Sequence, residues 1–213
     1  MELLADALRY VVANQARFWS AAWVHLELSS LALLLGIVLF VPLGALAARN
    51  QRVGSLAVGL VGSARVVPSL AVLFLLLPIL GTGFVPALAA LTLLAGPPLI
   101  VNTDAGLRQV DPAVTESGAG LGMSEWQLFS RVQFPLALPL VIAGVRTAAV
   151  EVIASATLAA FIGAGGLGAF ILAGLTLVDY KLLLVGALPV TVLTLATEAG
   201  LSYMERRVTP PAT

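Results

Sequence analysis

Cysteine is absent from the sequence, histidine occurs once, at His25, and Lys181 is the only lysine. The missing thiols exclude a disulfide framework and a thiolate metal site. One histidine without cysteine argues equally against a bound metal and against a Cys/His nucleophile. His25, which stands beside Glu27, is therefore expected to be structural. Charge is scarce too: 10% of the 213 residues are Asp, Glu, Lys or Arg, against about 25% in an average soluble domain. A chain this poor in charge cannot clothe a globule in water-compatible surface. The formal net charge of zero gives no sign of a nucleic-acid partner. A P-loop is also missing, so any ATP hydrolysis is expected on another polypeptide.

What the sequence has in abundance is apolar length. Hydrophobic residues make up 60% of the chain and the mean hydropathy is +1.04, which together indicate lipid as the solvent. Five stretches are long enough to cross a bilayer core, which takes about 20 helical residues: 26–48, 53–80, 84–101, 135–162 and 182–203. The expected fold is an all-α membrane bundle of about five transmembrane helices. An N-terminal interfacial helix over 1–20 precedes a transmembrane body over 21–205, and a short cytoplasmic tail, 206–213, ends the chain. The segment 167–178 is too short and too glycine-rich for a span and reads as re-entrant or superficial. Arg49, Arg52, Arg108, Arg131, Arg206 and Arg207 fall on one side of these spans, with Arg9, Arg17 and Lys181 on the other. The positive-inside rule then puts the N-terminus outside and the long connection 102–133 in the cytoplasm. Arg65 falls within the second span and is expected to reach an interface.

That connection carries its own helix punctuation. Asp111-Pro112 supplies an N-cap acceptor followed by a proline at the first helical position. A second start lies at Ser124, with Gln127 three residues on as a capping box. The spacing predicts two short helices hinged at Gly122, the second ending before Pro135, where the fourth span opens. Leu121, Trp126, Phe129 and Val132 are apolar residues on a loop that the topology puts in water. They suggest a docking surface, although folding back onto the bundle would account for them as well.

The run Glu116-Ser117-Gly118, then Gly122, then Val132-Gln133-Phe134-Pro135 resembles the EAA loop of ABC importer permeases. That pattern is Glu-Ala-Ala, a glycine six residues after the Glu, and an aliphatic residue and Leu-Pro at fixed distance. Ser117 and Gly118 replace the alanines and Phe134 the leucine. The resemblance implies an ATPase-coupling role for Glu116, Ser117, Gly118, Gly122, Trp126, Phe129, Val132 and Pro135. It also implies ABC ATPase subunits, a second permease chain (identical or paralogous) and an extracytoplasmic solute-binding protein as partners, in a bacterial inner membrane. Three further stretches are similar to permeases for osmoprotectants such as glycine betaine, choline and carnitine: Val67-Pro68-Ser69-Leu70-Ala71; Asn102-Thr103 with Gly106-Leu107; and residues 160–168, AFIGAGGLG. With the loop they cover about residues 25–198. Pro97-Pro98 is less typical. Methionine-importer permeases share the five-helix plan and the loop, so another small solute is the alternative cargo.

Ionisable and hydroxyl residues within spans are the remaining candidates. Thr147, Glu151 and Ser155 share one face of the fourth span, and Thr191 and Thr194, followed by Glu198, form a second stripe. Each stripe either lines a translocation path or bonds a neighbouring helix. Glu198 is expected to snorkel to the interface. Arg146 and Glu151 are about 140° apart around an ideal helix and do not neutralise each other. Gly163, Gly165 and Gly168 match a dinucleotide fingerprint only by spacing, because a membrane helix precedes them where the fingerprint needs a strand. Ser155 with Glu151 lacks the base–orienter set of an enzyme, and no internal repeat suggests a secondary transporter.

Overall fold

The computed structural model describes residues 2–50, 54, 59, 61–63 and 67–208. The described residues contain no strand. Their helices are α1 (Glu2–Ala13), α2 (Gln15–Arg49), α3 (Ser69–Leu80), α4 (Phe84–Arg108), α5 (Pro112–Gly120), α6 (Glu125–Leu128), α7 (Phe134–Ser155), α8 (Gly168–Leu177) and α9 (Tyr180–Val208). A π-helical turn, Phe129–Gln133, joins α6 to α7, and a 3₁₀ turn, Leu158–Ile162, follows α7.

Among the described residues, four helical runs are long and apolar enough to cross a membrane: α2, α4, α6 through α7, and α9. The first half of the expected second span lies largely outside the described residues, as do Arg52 and Arg65. Its described end is α3, a 12-residue helix. α8, with 10 residues, is about 15 Å long, half the thickness of a bilayer core. The first helix begins earlier than the hydropathy suggested: α1 stops at Ala13 and α2 starts at Gln15. The expected boundary at residue 20 thus falls inside a helix. At 35 residues, α2 is about 52 Å long, more than the hydrocarbon alone requires. Its exposed Trp19 and Trp23 stand one turn apart near its start, where a girdle of aromatic residues suits a membrane–water interface.

α4 is the centre of the bundle. Of its most apolar stretch 67% is buried, against 22% for α2 and for α9, so the latter two turn most of their apolar surface outward. Leu91, Leu94, Ala95 and Leu99 of α4 pack with Leu28 and Ala32 of α2 and with Ala148 and Val152 of α7. Small residues allow the close approach: a Cβ on Gly36 or Gly44 of α2 would lie 2.8 Å from the Cβ of Ala95 or of Thr103. In lipid, where water does not drive helices together, such backbone proximity supplies much of the association energy. A second core joins α8 and α9 to the N-terminus through Phe170, Leu182 and Val185, with Ala7 of α1 and Phe18 of α2. Leu3, Leu4, Leu8 and Val12 of α1 remain exposed as an apolar stripe.

Candidate functional site

The loop after α4 is built by local chemistry. Asp111 accepts a hydrogen bond from the Ala113 N–H through Oδ1 (2.8 Å), and Pro112 occupies the first turn of α5. α5 ends in a Schellman arrangement: the Met123 N–H bonds the Gly118 carbonyl and the Gly122 N–H bonds that of Ala119. Gly122 takes φ = +80°, the left-handed conformation this cap requires and a side chain resists. Ser124 then opens α6 with a complete capping box. Its N–H donates to Gln127 Oε1 (2.9 Å) and its Oγ accepts from the Gln127 N–H (3.3 Å). Gly118 is buried where α6 folds back on α5, 2.7 Å from Leu128 Cδ1 if it carried a Cβ. The two helices and their elbow therefore stand where the sequence pattern put them.

The end of the loop differs from expectation. The second helix does not stop before Pro135; it runs on into α7 through the π turn. Pro135 has no N–H for the carbonyl four residues back and its ring crowds that carbonyl. The chain widens instead, and the Phe134 N–H reaches the Phe129 carbonyl. The four apolar loop residues also divide. Leu121 is 85% and Trp126 69% exposed, while Phe129 and Val132 are half-buried. The Phe129 ring lies between those of Trp126 (5.9 Å) and Phe134 (5.8 Å), with the Arg49 guanidinium 5.6 Å from its centroid. Glu116 and Ser117 are exposed, with Ser117 Oγ donating to the Ala113 carbonyl. The tip of the loop thus offers Glu116, Leu121 and Trp126 to the surroundings, and its base is packed onto the end of α2.

A cavity of about 680 Å³ opens between α2, α3, α4 and α7, with Glu151 and Ser155 in its wall beside Phe40, Val72, Leu93 and Ile100. Thr147 is exposed and donates to the Ala143 carbonyl; it is not among the lining residues. Thr191 and Thr194 donate to the Ala187 and Val190 carbonyls of their own helix and do not line the cavity either. Of the six residues on the two expected stripes, the fold gathers only Glu151 and Ser155 at one cavity.

Two polar ties were not foreseen. Arg146 pairs with Glu198 (3.3 Å) and Glu205 (3.5 Å) across α7 and α9, so Glu198 is held by a neighbouring helix and does not simply snorkel. Arg108 makes an ion pair with the nearly buried Asp104 (2.9 Å) and donates from Nη2 to the Ala47 carbonyl (2.9 Å), capping the open end of α2 with positive charge. The four-residue spacing of Asp104 and Arg108 was the available signal for the second tie. His25 is fully buried and packs against Gly166, in keeping with a structural role.

Residues 40–210 match the family described as binding-protein-dependent transport system inner membrane component. The chain belongs to that family of ABC importer permeases. This permease is 47% identical over 190 residues to the carnitine transport permease protein OpuCB of Listeria monocytogenes, covering 89% of this chain and 87% of the relative. It is 41% identical over 186 residues to the glycine betaine/carnitine/choline transport system permease protein OpuCB of Bacillus subtilis, covering 87% and 86%. Its fold is that of a chain from the inward-facing MetNI methionine ABC transporter, with a TM-score of 0.83 at 19% identity over 93% of this permease and 99% of that chain. A chain of an amino acid ABC transporter matches with a TM-score of 0.75 at 22% identity over 93% and 97%. The methionine-importer-like, all-α plan expected from the sequence is thus the fold observed.

Proposed function

We propose that this permease forms half of the translocation path of an importer for quaternary-amine osmoprotectants, working with a second permease chain, two ATPase subunits and an extracytoplasmic binding protein. The relatives named for carnitine, glycine betaine and choline transport support the cargo class. The N-terminus lies outside, and the α5–α6 loop lies in the cytoplasm against an ATPase. ATP is hydrolysed on that separate subunit.

The observation that carries this reading is the loop. Its tip exposes Leu121 and Trp126 next to Glu116, an apolar patch with a carboxylate that suits a protein partner. Two caps and the Gly118 contact fix the tip in shape, and α6 continues without a break into α7. Movement of an ATPase beneath the loop is therefore delivered along one helical rod to Glu151 and Ser155 at the cavity. Alternating access follows: ATP binding draws the ATPases together, the loops travel with them, and the path opens on the other face.

The test is the complete transporter in proteoliposomes, with loaded binding protein on the outer face. We expect stimulated ATP hydrolysis and accumulation of carnitine, glycine betaine or choline. Stimulation without accumulation of any quaternary amine would refute the cargo, and no response to any loaded binding protein would refute the assembly.

A further inference from the structure

Among the described residues that line it, the cavity has one carboxylate, in a wall made mainly of carbon. Glu151 and Ser155 come from α7, Phe40 from α2, and most of the other lining side chains are aliphatic. Its volume of about 680 Å³ falls within the ~300–1,000 Å³ of small-molecule sites. Phe40 is set in place by an absence on the facing helix. A Cβ at Gly96 would come within 3.2–3.3 Å of three atoms at the tip of its ring. Near-equal distances to three ring atoms mean that the ring lies with its face against the α4 backbone. Phe40, Glu151 and the hydroxyl residues Ser69 and Ser155 thus share the wall of one otherwise apolar cavity.

This combination suits a particular chemistry. A quaternary ammonium head has positive charge, apolar methyl groups and no N–H to donate. Hydrogen-bonding walls do not recognise it; aromatic and apolar surface with one nearby negative charge does. The low dielectric of the surroundings makes that charge count for more than it would in water. Anions meet the reverse effect.

We infer that the cavity is a cation-selecting transit site, in which Glu151 and Phe40 receive the quaternary ammonium group of the cargo on its way through the membrane. The inference rests on the proposed function and adds that the permease itself, beyond its binding protein, selects by charge. Glu151 also has an interaction of its own within the chain. The cargo shares the carboxylate with it, which keeps binding weak enough for release, as conduction through a membrane requires.

The test uses the purified permease–ATPase complex without binding protein, and tetramethylammonium chloride as the probe against sodium chloride at equal ionic strength. Tetramethylammonium has the head group alone, so the result does not depend on which amine the binding protein takes. Binding is read by titration calorimetry and by the shift in thermal unfolding. We expect saturable binding that weakens about tenfold in Glu151→Gln, survives in Glu151→Asp, and weakens about threefold in Phe40→Leu. Where Glu151→Gln fails to assemble, the Asp and Leu variants carry the comparison. No saturable binding to the wild type, or equal affinity in Glu151→Gln and Phe40→Leu, would overturn the inference. Failure of the proposed function shows separately, as the absence of ATP-driven amine uptake by the wild-type transporter.

Discussion

Val178 is the one residue other than glycine with positive φ among the described residues, at φ 53° and ψ 36°. It follows the last turn of α8, and the Asp179 N–H closes that turn on the Gly174 carbonyl. A β-branched side chain in this region is strained, and Val178 is 69% exposed, so it gains little from burial in return. Val178→Gly is expected to raise stability by about 1 kcal/mol, the relief of strain less the added freedom of the unfolded chain. Thermal unfolding in detergent checks this; a lower midpoint would mean that the side chain is anchored in lipid or on a partner. At this scale much was legible in the sequence. Asp111, Pro112, Gly122, Ser124 and Gln127 announce caps, and caps are decided by residues within a few positions of each other. Phe129 was less legible, because its burial depends on Arg49, eighty positions earlier in the chain.

Among elements, the tie between α7 and α9 depends on a single guanidinium. Arg146 serves both Glu198 and Glu205, with the three side chains 29%, 44% and 26% exposed. Partial exposure places its worth between that of a surface pair and a buried one. Arg146→Leu takes the guanidinium from both carboxylates and is expected to cost about 1–3 kcal/mol, whereas Glu198→Gln keeps the contact with Glu205 and should cost less. Unfolding midpoints of the two variants give the order directly, and an Arg146→Leu protein as stable as wild type would show that the tie is incidental. No reading of the sequence could have found this pairing, because it follows from the way α7 and α9 cross. The helical repeat said only that Arg146 and Glu151 stand about 140° apart around their helix. The π turn belongs to the same class. Pro135 marked the position, but whether a chain breaks or widens at a proline is settled by the packing on either side of it.

At the scale of the whole molecule, the apolar runs of the sequence made four long helices legible and gave their order. Hydropathy placed some of the ends poorly, since α2 continues well past the apolar core. The absence of cysteine makes topology simple to probe. Single cysteines at Ser124 and Gly83 should label from opposite faces of the membrane, Ser124 from the cytoplasm alone; labelling of both from one face would displace the loop from the ATPase.

The account as a whole stands on the loop as the transmitter of ATPase motion, and Gly122 is where it is most exposed to test. Gly122 has φ at +80° and a Cβ there would meet nothing within 4 Å, so the cost expected of Gly122→Val is a backbone strain of roughly 1–3 kcal/mol. The spans should still insert and the complex should still reach the membrane. Misaligned, α6 would no longer drive α7. The deciding measurement is ATP hydrolysis and amine uptake by the reconstituted Gly122→Val transporter, with loaded binding protein present. The account predicts loss of stimulation and of uptake, with Ser117→Ala, which restores the residue of the EAA pattern, behaving as wild type. Full stimulation and full uptake in Gly122→Val would contradict it.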